Sequence, residues 1–483
     1  MYTSTRKKLN ISASKVILNG LALDGGLYIR KNINSQFFNK EMLGFTYNEL
    51  AELIFSEFLD DYPREVISDI IKTCYQDNFI PSQVGLKHFD DFSILELFNG
   101  ETFAFKDMAL SILPKMFNEA KKINKINNKT VILTATSGDT GSAALSGFSK
   151  VENTYVIVLY PKYGVSKFQE LQMNKFSSEN CFLFAVDGNF DDCQKIVKDL
   201  FQKINVEKSI LSSANSINFG RIIPQIVYYF YTYLKLVNSN KIKFGNLINF
   251  TVPSGNFGNI YAGYIAKQMG LPINKLIIAS NSNNVLTELF NNYKYNINRE
   301  LVKTISPSMD ILISSNFERY LYNITQDQEK IFKYMKDLQD KKYIYIKELE
   351  EQKIFEAFFA TEDNTKEAIK SFYEKYNYVI DPHTAVGYYC NNIHKNKGND
   401  NFYNVVLSTA SPYKFSESVL DALELKSSKI LKGQIKLLKK ISPENYDKRV
   451  EEVLNTKIKA KVLSVEETFE YVKKVIGDID DQN

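Results

Sequence analysis

TVILTATSGDTGSAALSGF, Thr130 to Phe148, reads as an apolar strand to Ala135, a loop of hydroxyls and glycines from Thr136 to Gly141, and a helix of small residues opening at Ser142. A strand that hands over to a helix through a short glycine loop is the repeating unit of a parallel sheet with crossover helices. The alternation continues outward on both sides. Tyr155 to Tyr160 is the next strand and Ser166 to Phe176 the next helix, followed by a strand at Cys181 to Val186 and a helix at Phe190 to Ile204. Beyond Ser212 to Arg221, a long helix through Leu236 precedes the strand Leu247 to Val252, a second glycine loop, a helix to Gln268 and the strand Leu276 to Ala279. A last strand, Asn404 to Leu407, enters the loop Ser408 to Pro412, and charged helices close the chain. The fold class is α/β.

Residues 1–95 read as a separate front unit, with a turn at Leu23 to Gly26, a short strand Leu27 to Ile29, and helical periodicity in Tyr47 to Phe58 and Pro63 to Cys74. The segment around Lys106 follows, with a helix expected to run on toward Lys121. Between about 283 and 376 the composition shifts to Lys, Glu, Tyr and Phe at helical spacing without glycine, which reads as a helical insertion or cap. With 483 residues, 44% hydrophobic and 24% charged, the chain has the composition of a globular protein of several units. The formal charge of +4 comes from 60 basic and 56 acidic residues interspersed, so no basic face argues for nucleic acid. The basic cluster at the N-terminus precedes no apolar run, and Ile222 to Leu236 is too short and too rich in Tyr for a membrane span, so a cytoplasmic location is expected. Four scattered cysteines without a CxxC pair and only three histidines speak against a zinc or disulfide framework. No metal is expected.

The chemistry concentrates in three stretches. In LELFNGETFAFKDMAL, Leu95 to Leu110, Lys106 lies between Phe103, Ala104, Phe105 and Met108, Ala109, Leu110. A partly desolvated amine favours its neutral, nucleophilic form, which condenses with aldehydes; a helix-start lysine facing water is the plain alternative. The loop Ser254-Gly255-Asn256-Phe257-Gly258-Asn259 joins a strand to a helix, where free N–H groups bind anions and glycines let the backbone approach. It lacks the Lys of a Walker loop and the GxGxxG of a dinucleotide fold, so it suits a phosphate monoester on a cofactor, or else is a plain Asn/Gly turn. The loop Thr136, Ser137, Gly138, Asp139, Thr140, Gly141 has the same placement and suits a substrate carboxylate. Asp139 would repel such an anion, so it is expected to point away or to accept a substrate ammonium or a cofactor hydroxyl. Reactive lysine, phosphate cradle and carboxylate cradle together suggest pyridoxal phosphate and an amino-acid substrate.

The ordered set ELFNGETFAFKD, TATSGDTGSAA, LYPKYGVSKFQELQM, SANSINFGRIIPQ, VPSGNFGN, TISPSMDILISSNFERYL and DPHTAVG, flanked by GLALDGGLYI and STASPYKF, resembles threonine synthase over about nine-tenths of the chain. The resemblance implies a fold-type II, tryptophan synthase β-like enzyme with two α/β domains around the cofactor, an N-terminal unit and a helical insertion. It implies an N-terminal threonine synthase domain over 1–95, a large cofactor domain formed by 96–129 and 212–483 with the insertion at about 283–376, and a small domain over 130–211. It implies further that Lys106 carries pyridoxal phosphate as an internal aldimine, that Ser254 to Asn259 hold its phosphate, and that Thr409 faces the pyridine nitrogen. A hydroxyl there leaves that nitrogen largely unprotonated. Asn218 and Arg221 would lie on one helical face, and Arg221, with Lys162 as a further candidate, would bind a substrate phosphate.

The resemblance implies an enzyme of amino-acid biosynthesis, a lyase converting O-phosphohomoserine and water to threonine and phosphate, acting as a monomer or homodimer on a small molecule. Two positions depart from the family pattern. Asn99-Gly100-Glu101-Thr102 stands where His-Gly-Pro-Thr is usual, and Ala410-Ser411-Pro412 where Ala-His-Pro is usual. A phospholyase or a serine/threonine dehydratase using the same cofactor is therefore the alternative, with a cofactor-binding protein without turnover behind it.

Overall fold

The structure is a computed structural model that describes residues 1–76, 78–149, 151–204, 206–398 and 401–481. Two sheets organise it. The larger has six strands in the order Phe355–Phe359, Ile273–Ser280, Ile248–Pro253, Tyr403–Ser408, Phe92–Glu96 and Gly85–His88, parallel except for the last pair. The smaller has five parallel strands in the order Lys461–Ser464, Cys181–Asp187, Thr154–Pro161, Lys129–Ala135 and Ser209–Ser212. Central strands such as Ile248–Pro253 are buried at every residue, as parallel strands covered by helices on both faces must be. The Tyr-rich helix Ile223–Asn238 is buried almost all round because it packs between Tyr47–Phe58 of the front unit and the helix Gly258–Gln268.

Four expectations change. The helix after Lys106 does not run on to Lys121: Asp107–Leu110 ends and Leu113–Ile123 begins anew. Pro114 has no N–H to donate backward and suits a helix's first turn, which forces the restart. The segment 283–376 is not purely helical. It contributes the edge strand Phe355–Phe359 to the large sheet and a two-stranded ladder of Lys294–Asn296 with Tyr343–Tyr345. The front segment 1–95 already supplies the last two strands of the large sheet. The close of the chain belongs with the small sheet, where Lys461–Ser464 lies parallel to Cys181–Asp187 and the helix Val465–Asp481 buries Val472, Ile476 and Ile479 against Cys193, Ile196 and Leu200. Pairings between segments this far apart leave no local mark in the sequence.

Ligand sites of open parallel sheets lie at the carboxyl ends of the strands. Here Ser254 follows Pro253, Thr409 follows Ser408 and Thr136 follows Ala135. Side-chain bonds from Lys106 and Lys414 to Asp139 bring the corresponding ends of the two sheets together.

Candidate active site

The turn that carries Lys106 is stitched to a segment 300 residues later. Phe105 N–H donates to Thr409 O at 2.8 Å, Ser411 N–H to Phe103 O at 3.0 Å, and Ala104 bridges Ala410. Within the turn, Asp107 accepts from Thr102 N–H at 2.8 Å and from Thr102 Oγ1 at 2.5 Å. Burial pushes Asp107 up to about 6 in spite of these bonds. Phe103, Ala104, Met108, Ala109 and Leu110 are buried, so the apolar sleeve exists, but the tip of Lys106 leaves it. Nζ lies 3.4 Å from Asp139 Oδ2, 3.3 Å from Ser308 Oγ and 5.0 Å from the centre of the Phe105 ring.

Asp139 is the hub of this half of the site. Lys414 Nζ reaches its Oδ1 at 2.8 Å, Gln169 Nε2 donates to the same oxygen at 2.8 Å, and Ser308 Oγ donates to Oδ2 at 3.0 Å. The orientation of Gln169 follows from its local role. It closes a capping box with Ser166 on the helix Lys167–Lys175, which engages its oxygen and turns its nitrogen toward Asp139. Gly138, at φ 123°, clears the way, since a Cβ there would meet Gln169 Cδ at 2.5 Å. Burial works to raise Asp139, but the Lys414 and Lys106 ammoniums outweigh it and hold the carboxyl well below the usual range. Asp139 therefore does not point away; two cations remove the repulsion the sequence implied. Burial pushes Lys106 down, Asp139 opposes this, and Lys414 and Arg221 add to it.

Ser308 is held from behind. Its N–H donates to His383 Nε2 at 3.2 Å, which puts the imidazole proton on Nδ1, 2.7 Å from Asp381 Oδ2.

The Ser254 to Asn259 loop is the other half. Ser254 N–H bonds Ala279 O at 2.9 Å, while Ser254 Oγ is buried without a partner. A Cβ on Gly255 would meet Ser308 O at 3.1 Å, which places the loop against the Ser308 turn. Asn256 O accepts from Asn316 N–H at 3.1 Å and from Asn316 Nδ2 at 3.0 Å. Phe257 adopts φ 61° in front of the helix Gly258–Gln268, whose start has no side-chain cap. Asn259 Oδ1 accepts from Tyr228 at 2.5 Å and Tyr229 at 2.9 Å, so its Nδ2 is left buried and unpartnered.

Arg221 is 3% exposed; Nη1 donates to Ala214 O at 2.9 Å, and Nε is buried without a partner. Burial pushes it down to about 10, so it remains charged at neutral pH. Asn218 does not share a helical face with it. Its oxygen caps Gly220 N–H at 2.9 Å and its Nδ2 donates to Ile17 O at 3.0 Å, because Phe219–Arg221 is a short turn with Asn218 at its start. Thr136 Oγ1 accepts from Gly138 and Gly141 N–H and so shapes its loop, with Ser137 and Thr140 half-buried at the start of the helix Asp139–Phe148. Lys162 is half-buried, its Nζ 5.0 Å from the Tyr163 ring, outside the bonded cluster around Asp139. Thr409 is buried beside the Lys106 turn.

Residues 1–75 match the family model for the threonine synthase N terminus and residues 384–476 the one for the threonine synthase C-terminal region. Threonine synthase of Saccharomyces cerevisiae is 35% identical over 509 residues, covering 94% of this chain and 98% of that protein. The chain belongs to the threonine synthase family. It is also 37% identical over 438 residues to human threonine synthase-like 1, covering 86% of this chain but spanning only 58% of that protein's length. The crystal structure of PLP-bound threonine synthase from Brucella melitensis superposes with a TM-score of 0.86 at 34% identity, covering 98% of each chain.

The two departures from the usual threonine synthase pattern serve local structure. Asn99 Nδ2 donates to Ser82 O at 3.0 Å, and Ser411 Oγ accepts from Tyr413 N–H at 3.4 Å at the start of the turn Pro412–Phe415. Sequence reasoning missed Gln169, Ser308, His383 and Lys414. Each stands inside one of the motifs that carry the family resemblance, which was the available signal. Among the described residues no group of three His, Cys, Asp or Glu could hold a metal ion, and no helix is long and apolar enough to cross a membrane.

Proposed function

We propose that this chain is a pyridoxal-phosphate enzyme converting O-phospho-L-homoserine and water to L-threonine and phosphate. The observation that carries the reading is one buried amine, Lys106, accompanied by three buried donors without partners: Ser254 Oγ, Asn259 Nδ2 and Arg221 Nε. Orphaned buried donors are costly unless a ligand satisfies them.

The residues present fit the cofactor. Ser254 Oγ, Asn259 Nδ2 and the uncapped start of the helix Gly258–Gln268 would hold its phosphate, with Gly255 and Gly258 leaving room for close approach. Bound there, pyridoxal phosphate would supply an electron sink for negative charge developing at the substrate carbons. Lys106, its amine biased toward the neutral form, would take and return protons at the α, β and γ carbons. Thr409, a hydroxyl rather than a carboxylate, would leave the ring nitrogen largely unprotonated, so proton placement by Lys106 carries more of the work. Ser137, Thr140 and the start of the helix Asp139–Phe148 would take the substrate carboxylate, and Arg221 its phosphate. Lys162 would reach that phosphate only by leaving Tyr163. The two sheets would form the two lobes, the final strand and helix going with the small one.

The test is to incubate purified protein with O-phosphohomoserine and identify the organic product, and to locate a borohydride-fixed cofactor by mass spectrometry. Threonine and an adduct on Lys106 are expected. An adduct on another lysine would sink the site assignment, and 2-oxobutyrate in place of threonine would sink the synthase reading in favour of a lyase or dehydratase.

A further inference from the structure

Lys414 has no role in the reading above, yet it is the most enclosed cation of the site. Its side chain is 0% exposed against 11% for Lys106. Its ammonium has three acceptors, Thr102 O at 2.6 Å, Gln172 Oε1 at 2.9 Å and Asp139 Oδ1 at 2.8 Å. An ammonium has three N–H donors, so none is left over for a ligand. Asp139 faces two ammoniums and, as a single charge, can neutralise only one. Lys414 holds the shorter contact, 2.8 Å against 3.4 Å for Lys106, and lies where water does not reach. The surplus positive charge thus falls on Lys106, on the more open side.

We infer that Lys414 is a positioning residue: by saturating Asp139 it denies Lys106 a full counter-ion and keeps the Lys106 amine available in its neutral form. The inference rests on the reading of Lys106 as the reactive amine. Every charged or polar element facing that amine fits it. Asp139 comes from the helix start at 139, Ser308 from the turn Pro307–Met309, Lys414 from the turn Pro412–Phe415, and Arg221 from the turn Phe219–Arg221. On its own element, Asp107 is engaged with Thr102, and His383 Nε2 accepts from the N–H of Ser308. Lys414 is enclosed and held by three acceptors at 2.6 to 2.9 Å, whereas Lys106 has only contacts of 3.3 and 3.4 Å, so Lys106 is the amine less held as an ammonium.

The rival role for Lys414 is that of a strut, since the same ammonium ties Thr102 beside the large sheet to Gln172 and Asp139 of the small one. Competitive acetylation of the full-length chain freed of cofactor, read peptide by peptide in a mass spectrometer over pH, separates the two. Lys414→Met should move the Lys106 midpoint upward by about one to three pH units, because Asp139 then serves Lys106 alone. Lys414→Arg, which keeps the cation, should restore the wild-type midpoint. Asp139→Asn should move it downward, since cations then face Lys106 without an anion. A strut predicts that both Lys414→Met and Asp139→Asn admit water and drift together toward an ordinary lysine. Shifts in the same direction, or none, overturn the inference. Should Lys414→Met fail to fold, an unchanged or raised midpoint in Asp139→Asn overturns it alone. Acetylation asks nothing of turnover, so a wrong substrate or a cofactor on another lysine would show in the borohydride and product experiments and not here.

Discussion

The two halves of the candidate site solve opposite problems. Around Lys106, Asp139 and Lys414 one carboxylate is shared by two ammoniums, and the bonds cross between segments of both sheets. Around Ser254, Asn259 and Arg221, donors are buried with nothing to bond. On the proposed reading, the first half would set a protonation state and the second would receive anionic groups. An unpaired buried donor costs about 1 to 3 kcal/mol, which an anionic group bound at Ser254, Asn259 or Arg221 would offset.

The comparison is broken most severely at Lys106. Lys106→Met should reduce turnover by roughly a thousandfold or more in steady-state assays and abolish the borohydride adduct. The same variant should be more stable than wild type at pH 7. The folded-state pKa of Lys106 lies below the ordinary 10.5, so the unfolded chain binds the extra proton and wild-type stability rises with pH across that interval. The melting-temperature gap should therefore narrow as the pH approaches 10.5. Equal or lower stability of the variant at pH 7 would mean that the Lys106 half is not strained by its second cation.

On the unsatisfied side, Arg221→Ala should lose about ten- to several-hundredfold in kcat/KM for O-phosphohomoserine, the worth of one or two charge-assisted bonds, while cofactor affinity is nearly unchanged. Loss of cofactor instead would move Arg221 into the other anion site. Asn259→Ala should do the reverse, weakening pyridoxal-phosphate binding about tenfold in a fluorescence titration. Tyr229→Phe, which only loosens the amide that Asn259 presents, should weaken it about two- to fivefold. If the tyrosine variant matched the alanine variant, the hydroxyls would be doing more than orienting Asn259.

The smallest effect on binding is expected at Thr409. Thr409→Asp should leave affinity within about a factor of two but protonate the ring nitrogen, changing the bound cofactor's absorbance and the product ratio. An unchanged spectrum and product ratio would remove Thr409 from contact with the ring.

The parts legible in sequence were those written in contiguous residues. The strand–loop–helix rhythm after Thr130, the glycine loop at Ser254 and the sleeve around Lys106 are local patterns, because backbone periodicity and turn chemistry act over a few residues. Family membership was also legible, since it needs only the order of motifs. For Asp139 the sequence left two alternatives, pointing away or accepting a donor, and only the contacts with Lys414 and Lys106 exclude the first. Asn218 was misread because a short turn, not a helix, follows it. The final strand went unassigned to the small sheet because the pairing of Lys461–Ser464 with Cys181–Asp187 joins residues far apart in the chain. The sequence by itself determined the strand–loop–helix form of the two glycine loops and the apolar setting of Lys106. Only the tertiary structure decided which charge answers which, and which buried donors stay unanswered. Electrostatic compensation and burial depend on distances in space, and those are fixed only when remote segments meet.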